Sequence, residues 1–328
     1  MSEEILPNLF KIEVPLPQNP LKAVNSYVIK AHNHSLIIDT GMNREECMEV
    51  MASSLKKLDV DLDNADFFIT HMHADHSGLV SDLARKTSTI YGGQADAAVL
   101  NSINSRYWEK IAHFARMNGF PEDELQRAMK NHPGIKYSLK GPVDFSILRE
   151  GDTISIGDYL FKCIETPGHT KGHLCLYEPN QKILISGDHV LVDITPNISL
   201  WSAEGNPLKE YLLSLDNVYN LDIELLLPGH RSVSQNCRAR IQELKHHHQT
   251  RASEVLSILE EGSHNAYQVA SQMSWDMSYQ FWDQFPSAQK WFATGEACAH
   301  LKYLEEEGKI RREIQEQKVV FSLAQSRS

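Results

Sequence analysis

The sequence predicts a mixed α/β (α+β) chain with a smaller unit at its C-terminal end, and three observations predict it. Short apolar runs of strand length recur through the first 230 residues, each closed by Gly, Pro or a polar turn. Segments of helical period stand between them. From about residue 235 the character changes to long helices followed by two short β-like runs.

In order, the runs at 25–29 and 35–39 are apolar and separated by the polar turn Asn33-His34, and Asp39-Thr40-Gly41 closes the second. Residues 44–58 have helical period, and 65–70 read as a buried strand. An insertion at about 93–140 is helical, interrupted at Asn118-Gly119-Phe120-Pro121 and ended near Asn131-His132-Pro133-Gly134. It reads either as a lid that touches substrate or as extra packing helices. Strands return at 143–148, 152–165, 173–177, 182–186 and 223–227. After a long helix, short helical stretches at 266–273 and 287–307 precede a terminal hairpin at 309–313 and 318–323, the order of a winged helix. The predicted domains are therefore 1–238 and 239–328.

The chain has 328 residues, 41 % of them hydrophobic, enough for a well-buried core. Its net charge of −11 provides no global basic field to hold a polyanion. The five cysteines are odd in number and never in C-x-x-C, so they read as reduced thiols. With no basic-then-apolar leader and no run near the ~20 apolar residues of a membrane span, a cytoplasmic protein without membrane contact is expected.

The chemistry concentrates where the strand at 65–70 stops. His71-Met72-His73-Ala74-Asp75-His76 places four metal-competent side chains within six residues. Alternation points His71 and His73 to one side, while Asp75 and His76 lie beyond the strand end, which suits two adjacent cations. Three later strands end the same way: Pro167-Gly168-His169, Gly187-Asp188 and Pro228-Gly229-His230. In each, a Gly permits a tight turn before a metal-competent side chain.

In these motifs the sequence, over about residues 8–235, resembles the metallo-β-lactamase-fold hydrolase superfamily. The resemblance implies an αββα sandwich with the site at one edge of its two sheets. It also implies two divalent cations, with His71, His73 and His169 on the first, Asp75, His76 and His230 on the second, and Asp188 bridging. Zinc is the expected metal, with iron or manganese as alternatives for such ligands. The stretch from Trp275 through Trp282, Pro286-Ser287-Ala288-Gln289-Lys290-Trp291 and Gly295-Glu296 to His300-Leu301 is similar to the winged-helix appendage of a glyoxalase II-like subgroup that includes the mammalian β-lactamase-like protein 2.

Two cations about 3.5–4 Å apart can share a hydroxide that attacks a carbonyl or phosphoryl centre, so hydrolysis is the expected reaction. Asp75 can orient that nucleophile by accepting its proton. No G-x-S-x-G elbow offers a side-chain nucleophile instead. His173 reads as a substrate-side or supporting residue, and Arg231 as a grip for a substrate carboxylate or phosphate or as the partner of a structural acid. Asp39 reads as an acceptor for a ligand imidazole or as a turn cap. Tyr107, Trp108, Phe114 and Trp201 line a pocket or fill a core. His246-His247-His248 reads as a solvated helix face.

The expected substrate is a small thioester, ester or lactone. A ribonuclease or phosphodiesterase is the alternative, and a metal-sensing regulator a third reading. Residues 241–328 hold nine Lys or Arg against twelve Asp or Glu, so nucleic acid is not the favoured partner. A homodimer is compatible with the appended unit. Antibiotic hydrolysis is disfavoured because the commonest such enzymes use a Cys ligand where Asp188 stands. Di-iron electron-transfer relatives place Glu where Met72 stands.

Overall fold

A computed structural model describes residues 2–103, 105–277 and 279–324. The chain divides into two compact units, one of residues 1–102, 133–196 and 214–241, the other of 103–132, 197–213 and 242–328. Among the described residues no helix is long and apolar enough to cross a membrane.

The first unit is built on two sheets. The seven-stranded sheet runs β1 (Ser2–Leu6), β2 (Leu9–Pro15), β3 (Ala23–Lys30), β4 (Ser35–Ile38), β5 (Ala65–Phe68), β6 (Ile90–Gly93) and β7 (Phe145–Leu148), neighbours in that order. It is antiparallel as far as β4 and parallel from there to β7. The second sheet contains β8 (Thr153–Ile156), β9 (Tyr159–Glu165), β10 (Leu174–Glu178), β11 (Ile183–Gly187) and β12 (Leu225–Pro228), with only β11 and β12 parallel.

Strand alternation sends successive side chains into two cores. Tyr27, Ile29, Leu36, Ile38 and Phe68 face the second sheet and meet Phe161, Cys163, Leu176 and Ile185. Val28, Ile37 and Phe67 face the other way and pack with Cys47, Met51 and Leu55 of the helix Glu45–Lys57. Each such aliphatic or aromatic burial contributes about 1.5–3 kcal/mol before chain entropy is counted. The result is a sandwich of sheets with helices against the outside of the first. Strand β6 has no predicted counterpart, because two of its four residues are glycines, a type depleted in strands. The helix Pro207–Tyr219 is likewise absent from the predicted elements.

The second unit unites the segment at 103–132 with the C-terminal residues. Ile111, Ala115, Phe120, Leu125 and Ala128 pack against Trp291 of the helix Ser287–Glu306. Glu124 of the helix Glu122–Asn131 accepts from Lys290 Nζ at 2.7 Å, and both side chains are largely buried. Trp201 stacks on Trp291 with centroids 3.7 Å apart and ring planes 11° apart. Tyr107 and Trp108, half-buried, pack against this cluster. The helix Cys237–Glu260, the helix Ala266–Gln272 capped by Asn265, the helix Ser287–Glu306 and the hairpin β13 (Ile310–Gln315) and β14 (Lys318–Leu323) follow the predicted order. His248 departs from the predicted solvated face. It is buried, with its Nδ1 3.3 Å from His300 Nε2.

The sequence groups 93–140 with the first domain, whereas here 103–132 belong to the compact unit of the C-terminal segment. The physical reason is the apolar stripe of those helices, matched by Trp291 about 170 residues later in the chain.

Candidate metal centre

Four loops carry the candidate ligands, each leaving the C-terminal end of a strand in the first unit. Strand β5 leads to His71, His73, Asp75 and His76, β9 to His169, β11 to Asp188 and β12 to His230. The register Ile38↔Phe68 between parallel β4 and β5 sets Asp39 beside Thr70. Leu174 N donates to Thr70 O at 2.9 Å, tying the start of β10 to the loop after β5. The β12 end is held from the first sheet: Tyr27 Oη and Asn25 Nδ2 both donate to Pro228 O, at 2.8 and 2.9 Å.

His71 Nε2 and His169 Nε2 lie 3.0 and 2.9 Å from His73 Nδ1. His230 Nε2 lies 3.5 Å from Asp75 Oδ2, and His76 Nε2 is 4.0 Å from the same oxygen. Asp188 sits between the two sets, with Oδ2 3.6 Å from His169 Nε2 and 3.5 Å from His230 Nε2, and Oδ1 3.4 Å from His76 Nε2. A cation with tetrahedral N and O ligands at about 2.0–2.2 Å separates them by about 3.3–3.6 Å; the Asp188 contacts and the His230–Asp75 pair fall in that range, whereas the contacts of His73 are closer and the His76–Asp75 pair is wider. Three of these atoms, His76 Nε2, His230 Nε2 and Asp188 Oδ1, are buried with no hydrogen-bond partner. Orphaned lone pairs of this kind are costly unless something binds them.

The opposite ring nitrogens of His71, His76 and His230 are committed, which sets the tautomer of each. His76 Nδ1 donates to Asp39 Oδ2 at 2.7 Å, and His230 Nδ1 to Ala23 O at 2.7 Å. His71 Nδ1 is 3.0 Å from Thr70 Oγ1, which itself donates to Asp39 Oδ2 at 2.8 Å. Asp39 thus supports His76 directly and His71 through Thr70, the acceptor role of the two readings open to it.

Electrostatics divide the two sets, favouring positive charge only on the histidines of the second. Burial lowers His71 and His73, the latter to about 3. Burial works against His76 and His230 too, but the neighbouring carboxylates, Asp188 foremost, outweigh it and raise both, His230 to about 10. Asp75 is likewise held at about 2, because His76 and His230 overcome the upward push of burial. A divalent cation would compete for the positions these protons occupy.

Two residues read from sequence as substrate contacts are placed otherwise. His173 is 1 % exposed, too deep to meet substrate. Its Nδ1 lies 2.7 Å from Thr166 Oγ1 and its Nε2 accepts the Asp188 backbone N–H at 3.1 Å, so it holds the loop that aims Asp188. Arg231 donates from Nη2 to Pro20 O at 2.6 Å, and its charge helps lower the nearby Asp193 carboxyl. The guanidinium is thus turned toward a backbone carbonyl.

Asp96, which sequence reasoning missed, is buried between the loops that carry His71, His73 and His169. Burial pushes its carboxyl up to about 6 against three hydrogen-bond donors that oppose the rise. Its only sequence signal, an acid in the first turn of the helix Gln94–Ser102, ordinarily means a helix-dipole contact.

Asp39→Asn is expected to keep the fold and to weaken metal retention and kcat/KM by about 10–100-fold. An amide nitrogen placed toward the Thr70 N–H or the His76 Nδ1–H cannot accept from it. Chelator competition on the purified variant checks this.

The profile described as the metallo-beta-lactamase superfamily matches residues 19–230, and the one described as metallo-beta-lactamase-like, C-terminal domain, matches 252–322. The chain is 25 % identical over 315 residues to the probable metallo-hydrolase YqjP of Bacillus subtilis, covering 92 % of this chain and 94 % of that one. It is 26 % identical over 223 residues to the acyl-coenzyme A thioesterase MBLAC2 of Bos taurus, covering 63 % and 72 %. The crystal structure of the metallo-beta-lactamase family protein TTHA1429 from Thermus thermophilus superposes with a TM-score of 0.82 at 26 % identity, covering 98 % of this chain and all of that one. With strand-end loops bringing His and Asp donors together at metal-ligand spacing, and a family profile spanning most of its length, this chain belongs to the metallo-beta-lactamase superfamily of metallo-hydrolases.

Proposed function

We propose that the protein is a dinuclear metal-dependent thioesterase. The observation that carries this reading is the pair of donor sets on either side of one carboxylate: His71, His73 and His169, then Asp75, His76 and His230, with Asp188 in reach of both. Zinc suits these nitrogen and oxygen donors. Two cations bound there supply Lewis acidity, making water acidic near neutral pH and drawing charge from an acyl oxygen.

The chain's own residues do the rest. Asp75 carries an anionic oxygen beside His230 and His76, where it orients an attacking water and accepts its proton. Asp39 and His173 hold the ligand loops so that little reorganisation accompanies reaction. A thiolate leaving group departs with less need of a proton than an alkoxide does. The thioesterase named among the relatives supports this substrate class. We also read the C-terminal helices and hairpin as a winged helix. The acidic balance of 241–328 argues against its use on nucleic acid.

The test is a turnover panel on protein of measured metal content, with acyl thioester, lactone, phosphodiester and RNA substrates. Thioester cleavage is expected to exceed the other activities by at least about tenfold in kcat/KM, equivalent to roughly 1.4 kcal/mol of transition-state discrimination. RNA cleavage without thioester cleavage would overturn the proposal.

A further inference from the structure

We propose that Asp96 is a positioning residue that locks the first metal set selectively, by tying together the two loops from which that set is built. The proposal rests on the ligand reading above, with His71, His73 and His169 forming one set.

Three bonds define the lock. Asp96 Oδ2 accepts the Met72 backbone N–H at 2.9 Å, and Met72 lies between His71 and His73. The same oxygen accepts from Thr170 Oγ1 at 2.5 Å, and Thr170 follows His169. Oδ1 accepts the Gly172 N–H at 2.8 Å. The carboxylate is 3 % exposed, so water does not readily replace these partners.

The backbones are pressed together at the same place. A Cβ on Gly172 would lie 2.5 Å from Asp96 N, and one on Gly93 would lie 2.0 Å from Gly172 O. Helix start and ligand loop therefore touch backbone to backbone, and Asp96 is the side chain that bonds both ligand loops there. These three bonds reach neither Asp75, His76 nor His230. Those ligands are held by other groups, among them Asp39 and the Ala23 carbonyl.

This separation makes the inference site-selective. Asp96→Asn keeps the side-chain shape but turns one acceptor into an N–H donor facing either Gly172 N–H or Met72 N–H. The loops must part to relieve that opposition, and the three first-set nitrogens spread with them.

The experiment titrates the full-length apo-protein with Co2+, following absorption and chelator competition, and records a melting curve for each variant. Asp96→Asn is expected to raise the first-set dissociation constant about 10–100-fold, the range for loss of a ligand-supporting partner. The second set is expected to stay within about threefold of its original affinity. Thr170→Val removes one of the three bonds without changing shape, and is expected to weaken the same set by a smaller factor. It serves as the test should Asp96→Asn not fold. Equal weakening of both sets, or unchanged affinity at the first, would overturn the proposal. His73→Ala runs in parallel to test the ligand reading separately: if it keeps both metals, that reading fails whatever the Asp96 variant does.

Discussion

His73→Ala is expected to abolish useful turnover, with kcat/KM lower by about 1,000-fold or more, and to leave the protein short of metal at the first set. The size follows from the share of catalysis that metal Lewis acidity carries, several kcal/mol, at roughly 1.4 kcal/mol for each factor of ten. His73 is the middle donor of its set, since Nδ1 lies about equally far from His71 Nε2 and His169 Nε2 at 3.0 and 2.9 Å. It also precedes the short helix Ala74–Ser77 in an extended conformation, which lets Asp75 and His76 turn toward the second set. Metal analysis with steady-state kinetics on the same preparation checks the prediction. Full turnover by metal-depleted His73→Ala protein would sink the ligand assignment.

A second large effect is expected from a far milder change. Gly229→Ala adds one methyl group, yet that Cβ would sit 2.6 Å from Asp188 Oδ1 and 2.8 Å from His76 Cε1. Neither neighbour can yield easily. The Asp188 backbone N–H is bonded to His173, and His76 Nδ1 to Asp39. The two candidate ligands must separate, and a displacement near 1 Å at a reacting centre costs about 100-fold in rate. We expect kcat/KM to fall by about that factor while the far-UV circular dichroism is unchanged. Activity within threefold of the parent protein would show that the loop can relax, and would remove Gly229 from the account of the site.

The candidate ligands were legible because each obeys a local rule. A buried strand needs apolar residues, its end needs a turn, and a metal needs donors that are otherwise wasteful to bury. Strand end and His or Asp therefore recur together in four places, with a Gly at the turn in three of them. Strand β6 was not legible, since its glycines carry no strand signal and only its parallel partners β5 and β7 make it one.

His173 shows the limit of spacing arguments. Four residues past His169 it looks like another functional histidine, but burial gives both its ring nitrogens structural partners. His248 fails the other way. A triplet on a helix suggests a wet face, and one of the three turns inward to His300. Asp96 carries only the signal of an acid in a helix's first turn, because its meaning lies in donors from residues 72, 170 and 172.

Local composition thus determined which residues could bind metal and that strands would deliver them, because strand ends, turns and donor chemistry are properties of neighbouring residues. Only the tertiary structure decided which donors share a centre, which acid supports which loop, and that the helices of 103–132 form one unit with Trp291. Those choices depend on the register between strands distant in sequence, and on the burial that follows when apolar faces close on one another. Neither is a property of any short stretch of chain.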